Sequence, residues 1–185
     1  MLRRAAQADA AGLARLADLA SDGFVSRLWA TMAESGEQPM EVGTRRIAEG
    51  QGTLAWQNGV LALIDGAVAG GMVTSRIGSA EALEPLPAML RPMQALKNRA
   101  LGAHYINILA TLPAFRHRGV AGALLGEAVR LAEDAAALCL VVADRNAPAR
   151  RLYEAFGFRA VAEAAMVKGD WVSDSGAWVL MVRPA

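Results

Sequence analysis

Apolar positions recur at changing intervals along this chain, and the changes divide it into elements. The short run Leu2–Ala5 predicts a strand. Leu13, Leu16, Ala17 and Ala20 then follow helical spacing. Asp9 marks the start of that helix, because an aspartate there can accept the free amides of a first turn. A second helical stretch runs near Phe24–Glu34, with Val25, Leu28, Trp29 and Met32 on one side. Gly36–Pro39 breaks it, and a third stretch follows over Met40–Glu49. Val60–Ile64 and Ala67–Thr74 read instead as β-runs, joined by Asp65-Gly66, the two-residue signal for a tight hairpin.

Ile77–Gly102 is a long connector holding Pro85, Pro87 and Pro92, with one short helix expected around Met93–Ala100. Connectors of this length are usually functional or mobile. The most regular part follows: strand Tyr105–Thr111, helix Gly119–Ala137, strand Leu138–Ala143, helix Ala147–Phe156, then strands Phe158–Val167 and Ala177–Arg183. Strand–helix–strand–helix order implies a parallel crossover in mid-sheet. Leu138–Val142 is apolar on both sides, which predicts a central strand. With no repeat, low-complexity tract or linker, the 185 residues read as one α/β domain.

Composition narrows the function. A 54% hydrophobic content without charge blocks excludes disorder. The net charge of +1, from 19 basic against 18 acidic side chains, argues against a nucleic-acid partner. No apolar stretch approaches the roughly 20 residues of a spanning helix, and Met1-Leu2-Arg3-Arg4, followed by a polar-interrupted segment, is not expected to act as a secretory signal. Cys139 is the single cysteine, which fits a reducing compartment, so a cytoplasmic location is expected. It sits mid-strand in an apolar run and is expected to be buried and inert. Two histidines and one cysteine without ligand spacing imply no metal.

The informative segment is the turn that follows the strand ending at Thr111. Pro113 stops the pairing ladder, and a basic turn feeds directly into a helix whose inward stripe is Val120, Leu124, Ala128, Leu131 and Ala135. Glu127, Arg130, Glu133 and Asp134 are expected to face water. The first helical amides need an acceptor, yet no Ser, Thr, Asp or Asn lies between Phe115 and Leu125. Small residues stand there instead, Gly119, Ala121 and Gly122, beside Arg116 and Arg118. Open amides, the helix dipole and guanidinium groups together predict a phosphate site. The glycines and the lack of a nearby lysine fit neither a nucleoside-triphosphate loop nor a dinucleotide fingerprint.

The pattern Arg116-x-x-Gly119-x-Ala121, after a strand and opening a helix, resembles motif A of the GNAT N-acetyltransferase superfamily. Asn146-Ala147-Pro148-Ala149-Arg150-Arg151-Leu152-Tyr153-Glu154-Ala155-Phe156-Gly157-Phe158 is similar to a second signature of that family. The residues support this helix independently: Asn146 is a good N-cap, Pro148 suits the first turn, and Gly157 suits the C-terminal position. The resemblance covers about Tyr105–Arg183 well and the first hundred residues in outline. It implies a three-layer α/β fold: a central, mixed, largely antiparallel sheet, splayed at one parallel strand pair, with helices on both faces.

It also implies an activity, transfer of an acetyl group from acetyl-coenzyme A to a primary amine in a ternary complex. Leu109, Ala110 and Thr111 fall at the pantetheine and acetyl end. Arg116, His117, Arg118, Gly119, Val120, Ala121 and Gly122 fall at the pyrophosphate, and Asn146 beside the arm. Tyr153 matches the general acid. Some relatives carry an acid five positions before the asparagine; here that residue is Val141. The base therefore stays unassigned, with His104 through water, an acid from the first hundred residues, or loss of the proton to solvent all open. The implied partner is a small-molecule or peptide amine, with no nucleic acid or membrane, and homodimerisation is left open. At the acceptor end stand the apolar candidates Phe24, Trp29, Met89, Met93 and Trp171, and the acidic ones Asp22, Glu34 and Asp170. Two rivals share the fold: a non-catalytic acyl-coenzyme A sensor, and transfer of longer acyl chains.

Overall fold

A computed structural model describes residues 1–184. Seven strands are joined in the order β1-β2-β3-β4-β5-β7-β6. They are β1 (Leu2–Arg4), β2 (Gly59–Ile64), β3 (Ala67–Arg76), β4 (His104–Thr111), β5 (Ala137–Ala143), β6 (Arg159–Ala165) and β7 (Ala177–Pro184). Helices α1 (Ala10–Ala20), α2 (Phe24–Ala30), α3 (Pro39–Ala48), α4 (Arg91–Lys97), α5 (Val120–Leu131) and α6 (Ala147–Ala155) connect them. The sheet is mixed: β4 and β5 run parallel, whereas β1–β2, β2–β3, β5–β7 and β6–β7 are antiparallel. Mixed α/β architecture with β5 as an inner strand agrees with the sequence reading. The chain forms two compact units, Met1–Ser75 with Asn107–Glu127, and Arg76–Ile106 with the residues from Ala128 on.

In the first unit the β2–β3 hairpin turns at Asp65 (φ 51) and Gly66 (φ 79), the left-handed pair that a two-residue turn of this twist requires. Its core gathers Leu13, Leu16 and Ala17 of α1, Trp29 of α2, Val42 and Ile47 of α3, and Leu61, Val73 and Ile108 of the strands. Each leucine, isoleucine and valine among these contributes roughly 1.5–3 kcal/mol on burial. Gly43 is required here: a Cβ on it would lie 2.5 Å from the Trp29 ring.

Two readings of this unit change. Asp9 stands at the N-cap position of α1, where the sequence places the start of the helix, but its side chain does not cap it; the carboxylate binds Arg3 through two bonds of 2.7 and 2.8 Å and accepts the Ala6 amide at 2.7 Å. A guanidinium offers a carboxylate two charge-assisted bonds, which outcompete a single cap. Helix α2 stops at Ala30, so Met32 leaves the buried stripe and is 38% exposed.

In the second unit β5, β6 and β7 build the sheet, and α4 packs against them. The long connector is pinned rather than loose. Ile77 N–H donates to Ala103 O (2.9 Å) and Gly102 N–H to Ile77 O (2.8 Å), while Arg91 holds the carbonyls of Leu86 and Glu84. Its helix covers Arg91–Lys97, not Met93–Ala100, and β6 ends at Ala165, short of Val167. Helix α5 ends at Leu131 although alanines continue to Ala137. The reason is tertiary: Arg76 takes the Asp134 carbonyl at 2.7 Å, and Ala136 N–H donates to Gly102 O at 3.3 Å. Backbone groups committed elsewhere cannot extend a helix.

Candidate active site

The turn expected to bind an anion is built within the first unit. Leu112 N–H donates to Ala69 O at 2.9 Å, so the chain stays tied to β3 beyond the end of β4. A single 3-10 turn, Pro113–Phe115, follows. His117 (φ 60) and Gly119 (φ 77) then both adopt the left-handed conformation, one that gathers successive N–H groups into anion-binding concavities. The first α-helical bond of α5 runs from Ala123 N–H to Gly119 O at 3.0 Å. Arg116, His117, Arg118 and Gly119 are exposed, Ala121 and Gly122 half-buried, and Val120 buried. The Arg118 guanidinium stands 5.8 Å from the Phe115 ring centre.

Gly119 is needed for its backbone conformation, since a Cβ there would meet nothing within 4 Å. That open mouth, with small residues behind it and no side-chain cap in the sequence, fits a diphosphate group. A second observation points to the same stretch: the Thr111 Oγ1 hydroxyl is buried without a hydrogen-bond partner. Leu109 is half-buried and Ala110 buried. Parallel pairing of β4 with β5 covers His104, Tyr105 and Ile106 and stops there.

Sequence reasoning did not single out Gly70 of β3, which sets this geometry. A Cβ on it would run into the Ala110 carbonyl and lie 2.9 Å from Val120 Cγ1 and 3.1 Å from Thr111 Cα. Only a glycine lets β3 approach the end of β4 and the start of α5 so closely. Asn107 Nδ2 also donates to Ser75 Oγ at 2.9 Å, a link between β4 and the end of β3 that the spacing did not reveal.

The remaining expected residues, Asn146 and Tyr153, lie on α6 in the second unit. Asn146 is the N-cap, its Oδ1 accepting the Ala149 amide at 3.2 Å, with Pro148 in the first turn. Gly157 (φ 86) closes the helix, and Phe158 N–H bonds Tyr153 O at 3.1 Å. Tyr153 is 8% exposed, its ring 5.8 Å from that of Phe158. Burial pushes its phenol up to about 12, so it is a hydrogen-bond donor throughout the neutral range.

Cys139 is fully buried, and burial raises its thiol to about 12, against a smaller opposing pull from Lys97. Of the acceptor-end candidates, Phe24 and Trp29 are 2% and 4% exposed and belong to the core, which removes them from any binding surface. Trp171 is buried and stacked on Trp178 at 5.9 Å, whereas Met89 and Met93 are half-buried. Among the described residues no group of three or more His, Cys, Asp or Glu is placed to hold a metal, and no helix is long and apolar enough to cross a membrane.

No curated protein matches the sequence. A crystal structure of an acetyltransferase superposes with a TM-score of 0.67 at 20% identity, covering 100% of this chain and 98% of that one. An N-acetyltransferase from Staphylococcus aureus Mu50 gives 0.66 at 16% identity, with 98% and 99% covered. A protein of the streptothricin acetyltransferase type from Bacillus anthracis str. Ames, solved in complex with acetyl coenzyme A, gives 0.51 at 17% identity, with 69% and 61% covered. These likenesses show the fold. The model of the acetyltransferase (GNAT) family matches residues 22–158, a span that contains the turn, α5 and α6, and the chain therefore belongs to the GNAT acetyltransferase family.

Proposed function

We propose that this protein is an N-acetyltransferase that moves an acetyl group from acetyl-coenzyme A to a primary amine by direct transfer in a ternary complex. The observation that carries the reading is the strand–turn–helix from Leu109 to Gly122, with its left-handed His117 and Gly119, in a chain of this family. The bound acetyl-coenzyme A of the streptothricin-type structure supports the donor. When bound, that donor supplies an acetyl thioester activated toward amines. The family match runs through both compact units, which supports a single 1–185 acetyltransferase domain. The lone Cys139 supports a cytoplasmic location.

In this reading Arg116, His117, Arg118 and Gly119, with the amides of Val120, Ala121 and Gly122, hold the diphosphate. The backbone of Leu109, Ala110 and Thr111 holds the arm, and Asn146 contacts it from α6. A backbone amide of Leu109–Thr111 donates to the carbonyl oxygen as negative charge develops on it. Tyr153 gives its phenolic proton to the departing thiolate, and the proton that the acetylated nitrogen loses to solvent balances the one that returns to the phenol. Desolvation makes the phenol a weaker acid, and a thiolate leaving into low-dielectric surroundings is made more basic by the same effect, which offsets that rise. The acceptor is a small-molecule or peptide amine that must arrive at the thioester neutral.

Calorimetric titration of the full chain with acetyl-coenzyme A tests the donor, and absence of binding at about 1 mM coenzyme overturns the reading. Release of free coenzyme A over a panel of amines tests the transfer. A protein that binds the coenzyme and releases none with any amine is a sensor, not an enzyme.

A further inference from the structure

One carboxylate outside the residues assigned above ties three pieces of the second unit together. Asp144 is the residue after β5. Its N–H donates to Ala177 O at 3.0 Å, which joins it to the start of β7. Its Oδ1 accepts two amides, Arg145 N–H and Gly176 N–H, each at 3.0 Å. Its carbonyl accepts Arg150 Nη1 of α6 at 3.0 Å. Ser175, 6% exposed, adds a fourth link by accepting Arg145 N–H through Oγ at 3.3 Å. The end of the connection between β6 and β7 is thereby fastened to the residues that open α6.

Local propensity does not require this arrangement. Asn146 needs only its own oxygen to cap α6, and it does so through Ala149. The cap fixes where the helix begins but not where the helix points. Direction is set by what holds the preceding residues, and here those holds converge on Asp144. Losing the side-chain oxygen frees the Gly176 and Arg145 amides from their common acceptor, so the end of the connection and the residue before the N-cap are no longer tied through it, while the backbone bonds of Asp144 to Ala177 and Arg150 remain.

We propose that Asp144 is a positioning residue for acetyl transfer: its carboxylate locks the end of the β6–β7 connection to the start of α6 and so aims the helix that carries Asn146 and Tyr153. The proposal rests on the N-acetyltransferase reading. A misplacement of about 1 Å in a reacting group is enough to cost on the order of a hundredfold in rate, so the lock acts on turnover more than on affinity. Asp144 does not touch substrate in this scheme; it acts through α6.

The test compares Asp144→Ala with Asp144→Asn in the full chain. Asparagine keeps an Oδ1 that accepts both amides, whereas alanine keeps neither bond. Asp144→Ala is expected to lower kcat about tenfold or more, with KM for the coenzyme changed less than about threefold, and Asp144→Asn to stay within about threefold of wild type. Assays run well below the melting point separate this from simple destabilisation, which lowers Tm and leaves kcat per folded molecule unchanged. Hydrogen exchange on the free protein gives a readout that needs no turnover. The Gly176 and Arg145 amides are expected to be protected in wild type and in Asp144→Asn, and to exchange faster in Asp144→Ala. An unchanged kcat in the alanine variant, equal damage in both variants, or unprotected Gly176 in wild type overturns the proposal. A wild-type protein that acetylates no amine overturns the functional reading instead, and the exchange data then decide the lock alone.

Discussion

Replacing Gly70 by alanine adds one methyl group and tests how the candidate coenzyme turn is built. The added Cβ would run into the Ala110 carbonyl and stand 2.9 Å from Val120 Cγ1 and 3.1 Å from Thr111 Cα. Two of these three neighbours are backbone, so no rotamer change relieves the crowding; β3 and the end of β4 must move apart. Overpacking of this kind costs about 1–3 kcal/mol. Against it stands a gain of about 0.5–1 kcal/mol, because alanine restricts the unfolded chain more than glycine does. A net loss centred on about 1 kcal/mol remains, and at most about 2.5 kcal/mol, or roughly 2–4 °C in Tm at the centre for a chain of this size. Urea unfolding reads the stability, and calorimetry with acetyl-coenzyme A reads the turn, with affinity expected to fall alongside. Gly126→Ala is the control: it lies in α5 with nothing within 4 Å of the new Cβ, and it should stabilise by about 0.5–1 kcal/mol. A Gly70→Ala protein as stable as wild type, with unchanged coenzyme affinity, refutes the reasoning.

Three further outcomes follow from the side chains. Tyr153→Phe should keep coenzyme affinity and lose on the order of a hundredfold in turnover; with the phenol at about 12, alkaline loss of activity below about pH 11 should persist unchanged in the variant. The Asp9 carboxyl is held below its ordinary value of 3.8, first by its hydrogen bond to Arg3, so its contribution to stability is present above about pH 4 and is lost as pH falls through the folded value. The slope of Tm between about pH 2 and 4 should therefore flatten in Asp9→Asn, and an unaltered slope would show that the pair carries no linkage. Cys139, buried and raised to about 12, should resist a thiol reagent at about pH 8 in the native protein and react once urea unfolds it; equal rates in both states would contradict its burial.

Elements were legible from the sequence wherever local chemistry and tertiary demand coincide. Asp65-Gly66 supplies the left-handed pair its hairpin needs, and Asn146, Pro148 and Gly157 bracket α6 as their types require. Element ends were less legible, because they are decided by partners distant in sequence. After Leu131 the chain reads Ala132-Glu133-Asp134-Ala135-Ala136-Ala137, in which only the two acids weakly disfavour a helix, and Arg76 and Gly102 then hold the backbone of Asp134 and Ala136 elsewhere. Met32 lies at helical spacing from Trp29, yet the helix has ended before it.

The candidate site divides along the same line. A turn that binds an anion through backbone amides shows itself by what is missing, a capping side chain, and by small residues that leave the amides open, and both are visible in the letters from Phe115 to Leu125. Side chains with several possible partners are not readable in that way. Asp9 offered a helix cap and took a guanidinium; Trp29 offered an aromatic surface and filled the space over Gly43. Gly70 is the sharpest case, because a glycine within a strand looks only like a weak strand residue. Its necessity comes from Ala110, Thr111 and Val120, which approach it only once the sheet has formed. In the proposed function, coenzyme recognition is thus written largely in residues that are absent or small. Acceptor recognition depends on which larger side chains the core leaves free, and the burial of Phe24, Trp29 and Trp171 shows how many of them the core has already taken.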